Sequence, residues 1–107
     1  MSAIANFEKL LAAGQDSALL RYSLGNAYYK EGEPERAVEH LSKAVAQDPS
    51  YSAAWKMYGK VLVELGRLEQ AADAYAQGIA VAEQNGDIQA AKEMKVFLRR
   101  VEKTQGG

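Results

Sequence analysis

The chain repeats itself at an offset of 34 residues, and this period restricts its fold more than any other feature. Advancing 34 places carries Gly25 onto Gly59, Gly32 onto Gly66, Glu35 onto Glu69, Ala37 onto Ala71 and bulky Leu41 onto bulky Tyr75, while small Ala44 lands on small Gly78. A constant offset of this length marks a supersecondary unit that cannot bury its apolar face alone and does so by stacking on its neighbour.

The segments inside each period read as helices. Leu20, Leu24, Ala27 and Tyr28 recur at three- and four-residue steps and form one apolar stripe. In Gly32-Glu33-Pro34-Glu35 the glycine ends one helix, and the proline suits the first position of the next, where its missing donor is not needed. Gly66-Arg67-Leu68-Glu69 does the same in the second period, so each period is a helical hairpin. Between them, Pro49 pushes Asp48 out of helical geometry and Ser52 is expected to cap the helix that follows. Gly14-Gln15-Asp16-Ser17 closes a first helix running from about Ser2 to Ala13, and Asn85-Gly86-Asp87 opens a last one running to about Lys103.

Gly25, Tyr28, Ala37, Leu41, Ala44 and Pro49, followed by Trp55, Gly59, Leu62, Ala71, Tyr75 and Gly78, resemble the tetratricopeptide pattern across two consecutive repeats. The resemblance implies an all-α fold, a right-handed α-α superhelix of about six helices forming a single domain over residues 1–107. Its expected parts are a half-repeat helix at 2–13, repeats at 18–51 and 52–85, a capping helix at 87–103 and a tail at 104–107. Ala3, Phe7 and Leu10 fall at the small, aromatic and small positions of a second helix, which makes the N-terminal segment half a repeat. Gln89, Lys92 and Glu93 stand where bulky, apolar and small residues belong, so the last helix is expected to be a cap. Arg21 stands where Trp55 stands one repeat later, and Glu83 replaces the expected proline, which should lengthen the second helix of repeat two.

In such a family the first helices line a concave surface used for peptides. The residues expected on it are Tyr22, Asn26, Tyr29 and Lys30 in repeat one and Lys56, Met57, Lys60, Val63 and Glu64 in repeat two, a mildly basic groove with aromatic walls. The partner expected is another protein or a peptide, with acidic groups as one chemistry the lysines would meet. The same lysines also fit an ordinary solvated helix face, and the tyrosines ordinary packing. Some relatives clamp a chaperone's C-terminal carboxylate through lysine, asparagine and arginine positions; here only Asn26 matches, with Tyr22, Met57, Asp87 and Ala91 at the others, so that clamp is not supported.

Other classes are disfavoured by composition. A net charge of −1 gives no reason to seek phosphate backbones or an anionic bilayer, so neither nucleic acid nor membrane is expected as a partner. No apolar run approaches the roughly 20 residues a bilayer requires, and the first residues lack the form of a signal peptide, which makes a cytoplasmic protein the expectation. Without cysteine there is no thiol nucleophile or cysteine-held zinc. His40, the only histidine, falls on the convex side with no expected neighbours for chemistry; an enzyme is not expected, nor a cofactor or metal. A monomer is expected. The alternative is a self-assembling scaffold built through the solenoid ends, where one of Met94, Phe97, Leu98 and Val101 would be exposed; Lys92, Lys95, Arg99, Arg100 and Lys103 on the last helix suit an acidic partner or, in the plainer reading, a helix C-terminus and a soluble cap.

Overall fold

A computed structural model describes residues 2–106 and shows six helices with no strand among them: α1 (Ala3–Ala12), α2 (Ala18–Lys30), α3 (Pro34–Gln47), α4 (Ser52–Glu64), α5 (Leu68–Gln84) and α6 (Ile88–Gly106). Met1 and Gly107 lie outside the described residues.

The turns explain where the helices stop. After α2, Gly32 takes φ 76° and after α4, Gly66 takes φ 74°, a left-handed geometry open to glycine at no steric cost. In both, a pair of backbone bonds reaches back to the helix end, Glu33 N–H to Tyr28 C=O and Gly32 N–H to Tyr29 C=O in the first, Arg67 N–H to Leu62 C=O and Gly66 N–H to Val63 C=O in the second. Gly14 and Gly86 close α1 and α5 in the same way. Pro34 begins α3 as expected. Ser17 and Asp87 cap the helices after them by accepting from Leu20 N–H and Ala90 N–H. Ser52 does not cap: Tyr51 holds the N-cap position without a side-chain bond, and the Ser52 hydroxyl turns to Asp87. The connector before α4 is pinned instead by Trp55, whose indole donates to the Pro49 carbonyl at 2.8 Å.

Packing follows the period. α2 lies on α3, α4 on α5 and α5 on α6, with α3 against α4 joining the hairpins. A Cβ built at Gly25 would lie 2.6 Å from Leu41 Cγ, and one at Gly59 would lie 2.5 Å from the Tyr75 ring, so these glycines let each hairpin close. Ala37, Leu41, Ala71 and Leu62 are sealed in the core around them. Ala37 has no exposed surface, and Ala37→Leu is expected to overpack the first hairpin by about 1–3 kcal/mol, read as a lower denaturant midpoint at unchanged slope.

One expected length is met and one expected boundary moves. α5 spans 17 residues against 14 for α3, the lengthening anticipated from the missing proline. α6 continues past Lys103 to Gly106, so the expected tail is helical as far as it is described, with Thr104 bonded back to the Arg100 carbonyl. The apolar residues of α6 also sort differently: Met94 and Val101 are buried and Phe97 and Leu98 half-buried, while Ile88 and Val96 are the exposed ones.

Candidate functional site: the groove between α4 and α6

α2, α4 and α6 touch in turn along one layer, whereas α3 and α5 stand further apart. The layer of first helices is therefore the narrower one, and the stack opens a groove of about 1100 Å³ on that side. Its walls are α4 and α6, with Leu68 and Tyr75 from α5 at the floor.

Of the residues expected on this surface, Tyr22, Lys56, Met57, Lys60, Val63 and Glu64 line the groove. Asn26 and Lys30 do not; they border a separate hollow of about 350 Å³ against α1, beside Ile4 and Phe7. α2 has two faces on this side, one toward α4 and one toward α1, and the four-residue step from Tyr22 to Asn26 crosses from the first to the second. Tyr29 stands at the edge, its hydroxyl donating to Glu64 at 2.6 Å across the repeat boundary. That bond to a carboxylate, with burial, raises the phenol above its usual range.

Half the groove belongs to α6. Glu93, Phe97, Arg100 and Val101 line it, although Lys92 and Glu93 had marked this helix as a cap. Phe97 meets the floor by tilting against Tyr75 at 5.7 Å between centroids, and burial pushes the Tyr75 phenol up to about 12. The period contains a partial signal for this wall, because α6 occupies the place of a third first helix and Phe97 stands 34 residues beyond Val63, which also lines the groove.

The charge of the groove is balanced rather than mildly basic. Three cations line it, Lys56, Lys60 and Arg100, with three anions, Glu64, Asp87 and Glu93. Each anion already accepts from the chain: Glu64 from Tyr29, Asp87 from the start of α6, and Glu93 from Lys56 at 2.8 Å, an ion pair bridging the two walls. The cations are less evenly served. Lys60 lies 5.1 Å from the centre of the Tyr29 ring and Arg100 5.9 Å from that of Phe97, and neither forms an ion pair among the described residues.

His40 has closer company than its sequence position suggested. Half-buried on α3, it stacks on Tyr28 and meets Arg21, whose guanidinium is buried where the aromatic of the other repeat would stand. Among the described residues no group of three or more His, Cys, Asp or Glu is placed to hold a metal ion.

Helical hairpins stacked in register, with an open groove along their first helices, define a helical-repeat protein of the kind that binds other proteins. The comparisons give the family: a tetratricopeptide repeat model matches residues 1–52 and again residues 22–88, and the chain belongs to that family. A TPR repeat-containing protein of Pseudomonas aeruginosa is 50% identical over 102 residues, covering 95% of this chain and 97% of that one. The solution structure of a Bordetella parapertussis protein superimposes with a TM-score of 0.81 at 39% identity, covering 97% of this chain and 90% of that one. The second TPR domain of human RPAP3, solved in complex with the HSP70 peptide SGPTIEEVD, superimposes with a TM-score of 0.72 at 26% identity over 87% of this chain and 78% of that one. TPR domains are protein-interaction modules, generally without enzymatic activity.

Proposed function

We propose that this chain is a non-catalytic adaptor whose α4/α6 groove receives a segment of a partner protein carrying acidic groups. One observation carries the reading: the groove pairs an apolar floor with two cations, Lys60 and Arg100, that form no ion pair among the described residues, while its anions are already engaged. A bound segment would bury apolar side chains on Val63, Leu68, Phe97 and Val101 and place carboxylates at Lys60 and Arg100. The RPAP3 complex supports a peptide as the occupant of such a fold, since the peptide named there contains two glutamates and an aspartate. Asn26, as one matched position, does not extend this to a chaperone clamp, and in this chain it lies outside the groove.

The structure changes which residues to test. Lys56 is tied to Glu93, so reversing it would set two carboxylates together and disturb the groove itself. Lys60→Glu with Arg100→Glu is the cleaner pair, and capture of partner protein from a lysate of the source organism is expected to fall roughly tenfold or more. Undiminished capture by a double variant whose circular dichroism and melting are normal removes the groove from the interaction. A cytoplasmic setting belongs to the same proposal, and cell fractionation checks it.

Ile88 and Val96 favour a second reading, self-assembly. They lie 68 residues beyond Leu20 and Tyr28, on the α6 face that a following second helix would cover, and both are exposed. Lys92 and Glu93 oppose it, standing where Leu24 and Gly25 let α3 approach α2. Sedimentation at two concentrations separates the readings, a single monomeric species removing this one.

A further inference from the structure

Arg21 is the buried charged side chain of the first hairpin, 8% exposed, and every partner it has is polar. Its Nε and Nη2 donate to the two carboxylate oxygens of Asp16, each at 2.8 Å, and Asp16 also accepts from Gln47 of α3. Its Nη1 lies 3.1 Å from His40 Nδ1. A guanidinium has donors only and keeps its proton, so Nδ1 must accept. That requirement puts the imidazole proton on Nε2 and leaves the ring neutral.

The contact reaches α1. The His40 ring lies parallel to Tyr28, 2° between planes and 5.5 Å between centroids, and the Tyr28 hydroxyl donates to Glu8 of α1 at 2.8 Å. α1 has no fully buried residue and packs on α2 through the half-buried Ile4, Phe7 and Leu11, to which the Glu8 bond adds one polar link.

We propose that Arg21 and His40 form a proton-operated latch across the first hairpin, closed while the imidazole is neutral and opened by its protonation, which loosens α3 from α2. A protonated Nδ1 would aim a donor at a donor and bring two cations together, at a site where the guanidinium cannot retreat from its two bonds to Asp16.

The groups around the ring act in both directions. Burial and Arg21 oppose protonation, joined by Lys43 on α3; Glu8 from α1 and Glu39 on α3 favour it. Asp16 is engaged by Arg21 and Gln47, and Arg36 of α3 lies over the Tyr28 ring. The balance holds His40 below its ordinary value of 6.5. An unfolded chain takes up the proton as pH falls through that value while the folded one resists, so the latch contributes fully above it and its contribution is lost progressively below.

The test uses the whole chain. Nitrogen–proton correlation of the His40 ring at neutral pH should show the Nε2–H tautomer, with a titration midpoint under 6.5. Amide exchange in α3 around His40 should quicken in acid, and the thermal midpoint should fall by several degrees between about pH 7.5 and about pH 5. His40→Gln can accept from Arg21 through its amide oxygen and cannot titrate, so it should lose most of that acid sensitivity. A ring protonated at Nδ1 at neutral pH, or a midpoint at or above 6.5, overturns the latch without any variant. Equal pH profiles for the wild type and a folded His40→Gln overturn it as well.

Discussion

Gly59→Val is expected to destabilise the protein by about 3 kcal/mol, the upper end of what overpacking costs in a close-packed interior. A Cβ at this position would lie 2.5, 2.7 and 2.8 Å from three atoms of the Tyr75 ring, inside any allowed contact. The ring has nowhere to go: it is 3% exposed and rests against Phe97 on its other side. Valine adds two further methyls that a helix confines to one rotamer. Its better helix propensity than glycine returns only a few tenths of a kcal/mol. For a domain of this size the thermal midpoint should drop by about 10–20 °C. Because Tyr75 floors the groove and Gly59 lies on the α4 face that meets it, any residual folded protein should also lose partner binding. An unchanged midpoint would mean that α4 and α5 can part without cost, which contradicts the closeness of the hairpin.

The spacing of small and large residues made the hairpins legible in advance, since Gly25 with Leu41 and Gly59 with Tyr75 are the same steric solution met twice. The groove was legible by half. Tyr22 and the α4 residues face it because α4 has one inward face, but Asn26 and Lys30 turn toward α1, whose packing no repeat register describes. The α6 wall was concealed by Lys92 and Glu93, whose polar character reads as a cap although Glu93 itself lines the groove and pairs with Lys56. Its polar cross-links follow the period more closely than the residues suggested: Tyr29 with Glu64 and Lys56 with Glu93 are 35 and 37 residues apart, near one repeat. Arg21 was different. Its partner Asp16 sits in a turn and His40 on the facing helix, so neither helical nor repeat spacing brings them together.

These cross-links bear on what the groove can do. Lys56 and Glu93 join its walls by an ion pair that is about two-fifths exposed on each side, worth little for stability yet able to keep α4 and α6 at a fixed separation. In the proposed complex, a groove whose own carboxylates are engaged would select by the charges left over, positive at Lys60 and Arg100. The apolar floor would then supply affinity and the two cations orientation, a division of labour common in peptide recognition.

Leu41→Ala is expected to cost about 2–5 kcal/mol, because the side chain is fully buried and little around it can collapse into the space. The sharper test is what Gly25→Ala does in each background. In the wild type the new methyl would meet Leu41 Cγ at 2.6 Å and Cδ2 at 2.8 Å, at the branch of a packed side chain, so the variant should be destabilised despite a gain in helix propensity of about 1 kcal/mol. With Leu41 already alanine, that clash is gone and the methyl fills part of the cavity. Gly25→Ala should then be neutral or stabilising, a change of sign that urea unfolding of the four proteins would register as a coupling of about 1 kcal/mol or more. Strict additivity would show that the glycine serves some purpose other than admitting Leu41, and the steric account of the repeat would fail at the contact on which it rests.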